Sequence, residues 1–373
     1  MRVVYFFTYG YSLKTWYDSG TLLKELELYR NLYTKYKIKT TFITYGNDND
    51  YVYDLDCEGF EIIPIYNYIK YHKNSFMRYA YSFMIPFYLN YKLKINCDII
   101  KQNQLMGSWV SILFKLLSSK PIIIRTGYDM LTFAIKSKAN IFKICLYYLL
   151  TSFSLLFANL YTVTSTTDKK FIKKYFKISK KIHLRPNWVH INEHSTNVRI
   201  ENRILSVGRL ENQKNYKSLI KAVSETSFGI DIVGDGSLKQ SMLEYSSKLG
   251  VDLKIIDPMK NEDLLVMYTK YKYFVLSSHY EGNPKVALEA MASGCVTLLS
   301  NIENHRELLE HGVNGYLFSS IKDLSNIFNT LNILIDHKKI VQNSIERIRK
   351  NNSLKLLLRL NLDDFNTLLG TNY

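Results

Sequence analysis

Short runs of β-branched and aromatic residues recur along the second half of the chain, and amphipathic helical patterns separate them. These runs are RILSVG, GIDIVG, LKIID, YFVLSS and VTLLS, ending near Gly208, Gly234, Asp257, Ser278 and Leu299. Neighbouring parallel strands need a long crossover, usually a helix, between them. The pattern therefore predicts a parallel, doubly wound sheet.

The first half has the same alternation in a looser form. Its strand-like runs are RVVYFF, KTTFITYG, FEIIPI, CDIIKQ, KPIIIRTG and LYTVTS, and SGTLLKELELYRNLYTKY is a helical pattern between the first two. We therefore expect an α/β protein of two Rossmann-like doubly wound domains that face each other across a cleft. The predicted domains are 1–186, with a C-terminal helix at about 355–373 packing back on it, and 187–354.

Residues 144–167 carry no charge and are long enough to raise the question of a membrane span. Thr151, Ser152, Ser154 and Asn159 dilute the apolar run, which continues into the strand-like LYTVTS. We expect a buried helix followed by a strand. An interfacial helix and a true span remain the alternatives.

Composition adds a strong charge asymmetry. The chain of 373 residues is 47% hydrophobic, which is enough to fold, and its formal net charge is +16. Residues 1–200 hold 28 Lys and Arg against 13 Asp and Glu, whereas the rest is nearly balanced. Such a field attracts an anionic partner: a nucleic acid, an anionic lipid surface or a phosphorylated substrate.

The basic surplus is densest in residues 101–186, with 15 basic and 2 acidic residues. The segment 168–185, DKKFIKKYFKISKKIHLR, reads as a helix with Phe171, Ile172, Tyr175, Phe176 and Ile182 on one face. Its ordinary interpretation is a solvated helix. The charge density favours an anionic membrane surface or a lipid-diphosphate acceptor, and no nucleic acid is expected because no recognition motif is present.

Cysteine usage and the N-terminus indicate the compartment. Cys57, Cys97, Cys145 and Cys295 lie far apart without a CxxC pair, which predicts neither zinc nor disulfides. The opening MRVVYFFTYGYSLKTW reads as a first strand and not as a signal peptide. We expect a cytoplasmic protein that is peripheral on the inner face of the membrane.

The stretch SSHYEGNPKVALEAMASG, residues 277–294, follows a predicted strand and enters a helix. Asn283 is predicted to cap this helix, Pro284 to be its first residue, and Gly294 to end it. The positively polarised backbone from Gly282 to Val286 can seat a diphosphate or a sugar oxygen.

Two glutamates flank this helix start. Glu289, inside the helix, can accept ribose hydroxyls, and Glu281, before it, can accept a sugar hydroxyl. The alternative for Glu289 is a pair with Lys285 on a solvated face.

Two further strand ends carry candidate phosphate ligands. SVGRLENQKN places Gly208, Arg209 and Lys214 in one loop, where both cations can reach one anion. IVGDGSL provides Gly234 and Gly236, where the backbone turns or is approached closely. Each motif alone is weak evidence for a binding site. Ligands of parallel sheets bind beyond the carboxyl ends of the strands, and both motifs are predicted to lie there.

VGRL with its following Lys, VGDG, SSHYEGNPKVALEAMASG and HGVNGYLF together resemble the donor-binding half of the family 4 (group 1) retaining glycosyltransferases of GT-B fold. The resemblance extends from about Arg203 to Phe318. It implies a transferase that moves a sugar from a nucleotide-diphosphate sugar to a glycan or lipid-linked acceptor, as in surface polysaccharide biosynthesis.

The resemblance also implies roles for individual residues. Arg209 and Lys214 contact the donor diphosphate and, with Glu281, act in catalysis; Glu289 holds the ribose; and Met259 flanks the base. The donor-binding set is Gly10, Gly208, Gly234, Met259, Gly282, Asn283, Pro284, Lys285, Val286 and Glu289. A front-face retaining path, in which the leaving phosphate helps to deprotonate the acceptor, requires neither a metal nor a cofactor.

The acceptor side departs from the family. Where many members carry His at the end of an N-domain strand, this chain reads IIIRTGYD, with Arg125 and Asp129. These two, with Lys14 in the loop after the first strand and Gln104 after DIIKQ, are the acceptor-side candidates.

Two patterns resemble metal sites. Asp48 and Asp50 have the DxD spacing, for which a solvated turn is the expected interpretation. His190 and His194 lie four apart in the predicted connector without further ligands, so no zinc site is expected.

Two other functions stay open. One is another GT-B enzyme, such as a phosphorylase or a sugar-nucleotide epimerase. The other is a basic, membrane-associated scaffold with a vestigial nucleotide site.

Overall fold

A computed structural model describes residues 1–53, 58–127, 129–177, 182–191, 199–331 and 337–371. The chain divides into two compact units. The first consists of Met1–Thr164, Asp168–Arg185 and Leu358–Tyr373, and the second of Ser165–Thr167 and Pro186–Leu357. Each unit is built on its own parallel sheet.

The sheet of the first unit has seven strands in the order β3-β2-β1-β4-β5-β6-β7. The strand order reverses direction between β1 and β4, as in a doubly wound sheet. The strands are β1 (Arg2–Phe6), β2 (Lys39–Thr44), β3 (Phe60–Pro64), β4 (Ile99–Gln102), β5 (Ile122–Thr126), β6 (Leu160–Val163) and β7 (Ile182–Leu184).

The helices of residues 1–176 connect these strands, and several begin at a residue whose side chain accepts a backbone N–H. Ser12, Asn74, Asp129 and Asn140 are such caps. The helices are α1 (Leu13–Asp18), α2 (Leu22–Tyr36), α3 (Ser75–Ser82), α4 (Ile85–Phe87), α5 (Ser108–Ser118), α6 (Met130–Lys136), α7 (Ile141–Phe157) and α8 (Thr166–Phe176), with 3₁₀ helices at Asp48–Tyr53 and Ile65–Asn67 and a π-helical turn at Tyr88–Lys92.

The sheet of the second unit has six strands in the order β10-β9-β8-β11-β12-β13. They are β8 (Ile200–Val207), β9 (Gly229–Val233), β10 (Leu253–Ile256), β11 (Tyr271–Leu276), β12 (Val296–Ser300) and β13 (Tyr316–Phe318). The helices after residue 199 are α9 (Tyr216–Val223), α10 (Lys239–Lys248), α11 (Asn261–Lys270), α12 (Lys285–Ala292), α13 (Glu303–Arg306), α14 (Ile321–Thr330), α15 (His337–Asn351) and α16 (Leu354–Leu369), with a 3₁₀ helix at Asn212–Lys214.

Apolar side chains cover both faces of the second sheet. One cluster contains Ile204 and Ile230, and the other contains Leu205 and Phe274, so neighbouring residues of one strand enter different cores. Burial on both faces explains why these strands read as continuous apolar runs and not as alternating ones. The expectation of two Rossmann-like parallel-sheet domains is confirmed.

Residues 144–167 form most of α7, then β6 and the start of α8, so the helix and the strand are as expected. The expectation of burial is wrong for most of α7. Leu146 is 59% exposed, Leu149 is 63% exposed and Leu156 is 69% exposed, whereas Ser154 and Leu155 are buried. Within the described residues, no helix combines the length and apolarity that crossing a membrane requires.

The predicted helix over 168–185 is shorter in the structure. It corresponds to α8, which ends at Phe176, and Ile182 lies in the short strand β7 and not on a helical face. Residues 178–181, which include two of the lysines, lie outside the described residues.

Helix α16 contributes to the first unit. Lys101 on β4 is buried and donates to Asn361 Oδ1 at 2.6 Å. Arg185 and His183 both contact the carboxylate of Asp364. Helix α16 thus supplies polar partners to the buried Lys101 and to the partly buried His183 and Arg185.

Candidate active site

The loops after β8 and β9 meet through their glycines. Gly234 has φ +156°, and a Cβ on it would lie 2.1 Å from the carbonyl oxygen of Gly208. Because the obstacle is backbone and not a flexible side chain, no larger residue fits. The two strand ends are therefore in direct contact, as the GDG pattern suggested.

An ion pair joins the loop after β8 to the loop after β11. Lys214 Nζ donates to Glu281 Oε1 at 2.5 Å, and Ser278 Oγ donates to the same oxygen at 2.6 Å. The side chain of Lys214 is 11% exposed and that of Glu281 is 8% exposed. Two of the predicted site residues, 67 positions apart, thus form one largely buried charged group.

Three hydrogen bonds to main-chain oxygens join the same two loops. His279 N donates to Gln213 O at 2.9 Å, and Gln213 Nε2 donates to Tyr280 O at 2.9 Å. Ser277 Oγ donates to Lys214 O at 2.8 Å. The positions of Lys214 and Glu281 are therefore set by the backbone as well as by their mutual attraction.

Arg209 differs from Lys214. Its side chain is exposed and makes no hydrogen bond or ion pair with the described residues. It follows Gly208 directly, at the carboxyl end of β8. A guanidinium at this position is available to an anion from solution.

Helix α12 starts one residue later than predicted. Pro284 is the N-cap and Lys285 the first helical residue, so Asn283 is not the cap. The carbonyl of Asn283 accepts from Asn187 Nδ2 at 2.8 Å, while its buried Oδ1 has no partner among the described residues. The helix ends at Ala292, and Gly294, with φ +79°, follows as the predicted stop.

The residues around this helix start are well packed. Gly282 and Pro284 are buried, Lys285 is half-buried, and Val286 packs against the same apolar core as Met259. The first amides of a helix have no intrahelical partner and carry partial positive charge. A buried helix start, whose first amides have no intrahelical partner, therefore lies next to Glu281 in the chain.

Glu289 lies inside α12 and is 3% exposed. Asn261 Nδ2, at the start of α11, donates to its Oε1 at 3.1 Å. The alternative of a solvated helix face is therefore wrong for Glu289. Asn261 follows the loop after β10, which contains Met259, so this bond connects Glu289 to the end of that loop.

His305 is a buried residue that the sequence analysis missed. Its Nδ1 lies 2.8 Å from Ser300 O, and Ser300 Oγ donates to Ser278 O at 2.6 Å. Burial lowers the pKa of His305 to about 4, although Glu281 acts in the opposite direction. A neutral imidazole thus supports the loop that holds Glu281. The position of His305 shortly after a predicted strand, now β12, is the feature of the sequence that could have indicated it.

In the first unit, the loop after β1 contains Gly10 and Lys14. Gly10 is exposed with φ +79°, and nothing lies within 4 Å of a Cβ built on it, which leaves its backbone open to a ligand. Lys14 Nζ pairs with Asp18 at 3.0 Å on the exposed side of α1, and this contact raises the Lys14 pKa.

The other acceptor-side candidates have structural partners. Gln104 Oε1 accepts from Gly127 N at 2.8 Å, and Arg125 lies on β5 with its Nη1 near the same glycine. Asp129 is buried and caps α6 by accepting from Thr132 N at 2.7 Å; burial raises its pKa. Asp129 therefore serves as the cap of α6, and its acceptor-side role stays a prediction.

The two sequence patterns that resemble metal sites have different surroundings in the structure. Asp48 is exposed, but Asp50 is buried and accepts from Thr44 Oγ1 at 2.5 Å, so the expected solvated turn is wrong for Asp50. His190 packs on the ring of Trp188, and His194 and Cys57 lie outside the described residues. In the described part of the chain, no three His, Cys, Asp or Glu side chains are placed to hold a metal ion.

Comparisons with known proteins agree with this architecture. Residues 191–352 match the family model described as glycosyl transferases group 1. A Campylobacter jejuni protein named GalNAc-alpha-(1->4)-GalNAc-alpha-(1->3)-diNAcBac-PP-undecaprenol alpha-1,4-N-acetyl-D-galactosaminyltransferase is 26% identical over 210 residues, which are 52% of this chain and 56% of the relative. The chain spans only about half or less of the length of the first curated relatives it matches.

Solved structures match over the whole chain. Sucrose-phosphate synthase from Thermosynechococcus elongatus has a TM-score of 0.79 at 15% identity, covering 100% of both chains. Anabaena Alr3699/HepE in complex with UDP and glucose has a TM-score of 0.76 at 15% identity, covering 99% of this chain and 100% of the other. The chain therefore has the GT-B fold, and its residues 191–352 are similar to the glycosyl transferases described as group 1.

Proposed function

We propose that the protein is a retaining glycosyltransferase that transfers a sugar from a nucleotide-diphosphate sugar to a glycan or lipid-linked acceptor in surface polysaccharide biosynthesis. The observation that carries the proposal is the buried Lys214–Glu281 pair, together with the exposed Arg209, which follows Gly208, the residue near which the Lys214 side chain lies. Two cations at the carboxyl end of a parallel sheet, next to a helix start, suit a diphosphate.

The donor is held by complementary groups. Arg209 and Lys214 contact the diphosphate, with the amides from Gly282 to Val286 as further donors, and Gly208 and Gly234 leave the backbone accessible. Glu289 accepts hydroxyls of the ribose, and Met259 flanks the base. Lys214 has three N–H donors, so its bond to Glu281 leaves others for phosphate oxygens.

Charge stabilisation drives the chemical step. As the bond between sugar and diphosphate breaks, negative charge grows on the leaving phosphate, where Arg209, Lys214 and the helix start stabilise it. Glu281 accepts a hydroxyl of the transferred sugar and fixes its orientation. The leaving phosphate takes the proton of the attacking acceptor hydroxyl on the same face, so configuration is retained, and we propose that neither metal nor cofactor takes part.

The partner is an anionic membrane surface that presents the acceptor. The Campylobacter jejuni relative is named for an undecaprenol diphosphate-linked acceptor. The 2 acidic residues of 101–186, Asp129 and Asp168, are both buried, so the exposed charges described in this range are positive. We place the protein on the inner face of the membrane, bound through these cations.

Donor binding tests the proposal. A thermal-shift screen with uridine, guanosine and adenosine diphosphates should raise the midpoint for one of them, because a ligand of the native state stabilises it by mass action. Glu289→Gln and Arg209→Gln should weaken that binding at least tenfold, whereas Lys217→Gln, an exposed cation on α9, should leave it unchanged.

The alternatives are separate outcomes of an activity assay. Turnover of a sugar phosphate with inorganic phosphate indicates a phosphorylase, and donor conversion without acceptor indicates an epimerase. Absence of any nucleoside diphosphate binding favours the scaffold with a vestigial site and refutes the transferase.

A further inference from the structure

The carboxyl ends of β1 and β4 lie side by side where the strand order of the first sheet reverses. Ligands of open parallel sheets bind at this switch point. Tyr9 lies in the loop after β1, and Trp109 lies in the first turn of α5, after β4. Tyr9 N donates to Met106 O at 3.0 Å, which joins the two loops.

Aromatic rings surround this point. The Tyr9 ring stacks on Tyr79 of α3 at 4.8 Å and lies 4.9 Å from Tyr45 and 5.2 Å from Trp109. Tyr79 is 42% exposed, so one side of the cluster faces solvent. Flat apolar rings at the edge of solvent suit the C–H faces of a sugar ring.

The phenols add hydrogen-bond donors. Tyr45 is buried, and its hydroxyl has no partner among the described residues. Burial raises the Tyr9 pKa to about 12, assisted by Tyr66 and Tyr79 and opposed by Arg78. Both phenols therefore stay protonated, and their buried hydroxyls keep a hydrogen-bond donor that no described residue uses.

Arg78, on the same helix as Tyr79, carries an uncompensated charge. Its Nη1 donates to Tyr71 OH at 2.7 Å and its Nη2 donates to Ser75 Oγ at 3.2 Å, but no carboxylate pairs with it among the described residues. Residues 62–97 contain five Lys and Arg and no Asp or Glu. Neutral acceptors thus orient a guanidinium that keeps its charge for an anion.

The same segment exposes an apolar surface. Phe76, Phe83, Met84, Phe87 and Tyr91 are all exposed large apolar residues. Trp109 Nε1 donates to Ser82 Oγ at 2.9 Å, which fixes α3 against α5. Clustered exposed apolar side chains with adjacent cations are typical of a surface that meets lipid.

We propose that Tyr9, Tyr79 and Trp109 bind the acceptor sugar of a lipid-linked sugar diphosphate, that Arg78 binds its diphosphate, and that Phe76 and Phe83 contact its lipid. The inference rests on the proposed function and deepens it by naming the acceptor class and its binding residues. A soluble neutral glycan would use the rings but leave both the unpaired Arg78 and the apolar surface without a role.

The experiment is calorimetry in detergent with farnesyl diphosphate, farnesyl-diphospho-N-acetylglucosamine and methyl N-acetylglucosaminide. The wild-type protein should bind the farnesyl-diphospho-sugar most tightly. Arg78→Gln should weaken the binding of farnesyl diphosphate and of farnesyl-diphospho-N-acetylglucosamine about tenfold or more. Tyr79→Ala should weaken by that amount only the binding of the sugar-bearing ligand. Lys92→Gln is the control, because it removes a cation of the same segment outside the aromatic cluster.

Nucleoside diphosphate binding and the unfolding midpoint are measured on every variant. Unchanged values show that the fold and the donor site are intact, and they separate this inference from the proposed function. Equal binding of the farnesyl-diphospho-sugar by wild type, Arg78→Gln and Tyr79→Ala overturns the inference, as does preferred binding of the free glycoside.

Discussion

Replacing Lys214 with Met removes the cation from the Lys214–Glu281 pair while keeping most of the side-chain volume. Glu281 is then left 8% exposed with Ser278 as its remaining partner. Breaking a buried ion pair by removing one partner costs about 3–5 kcal/mol, because the other charge stays desolvated. The remaining Ser278 bond places the expected loss near the lower value, about 3 kcal/mol.

Such a loss should lower the unfolding midpoint by roughly 6–12 °C, since 1 kcal/mol shifts a domain of this size by about 2–4 °C. Glu281→Gln in the Lys214→Met background should recover part of it, because a neutral amide tolerates burial better than an unpaired carboxylate. The two single variants and the double variant form a cycle whose coupling energy should exceed about 1 kcal/mol.

The assay is denaturant unfolding of these variants, followed by circular dichroism, with nucleoside diphosphate affinity measured alongside. Lys217→Met, an exposed residue on α9, should change stability by less than about 0.5 kcal/mol. If Lys214→Met is as stable as Lys217→Met, or if the cycle shows no coupling, the argument that a buried pair joins these loops is refuted.

Three further predictions concern other parts of the chain. Gly234→Ala should reduce stability and donor binding far more than Gly250→Ala, because both glycines have positive φ but only Gly234 faces a backbone oxygen at 2.1 Å; equal melting points would contradict this. The pKa of His305 is lowered to about 4, below its unfolded value of about 6.5, so stability should fall as pH drops through that window, by up to roughly 3 kcal/mol in total. A His305→Gln variant should lose that part of the pH dependence, as urea unfolding between pH 7 and pH 4 would show. Leu149→Gln on α7 should weaken sedimentation with anionic vesicles, whereas Val266→Gln on α11 should not, although both residues are exposed.

The strands that the sequence predicted are all four or more residues long. β7 and β13 have three residues each and were missed, because so short a run shows no pattern. The uniform apolarity of α7 predicted a helix but not which side of it faces solvent. Periodicity carries no such information when nearly every position is apolar.

The site was predictable to a different degree. Strand-end motifs located Arg209, Lys214 and Glu281, because chemistry in a parallel sheet gathers at one edge. The direct bond between Lys214 and Glu281 depends on how two loops pack, which no local pattern encodes. Asp50 was misjudged for the same reason, since its burial comes from contacts with Thr44 and not from its polar neighbours.

The return of α16 to the first unit has a consequence for how the protein is made. Lys101 is buried in the first unit, yet its acceptor, Asn361, lies 260 residues later in the chain and is synthesised after the second unit. Domains generally complete folding during translation once all of their residues have emerged. The second unit can therefore finish first, and nascent chains should acquire protease resistance around residues 199–331 before residues 1–164 become resistant.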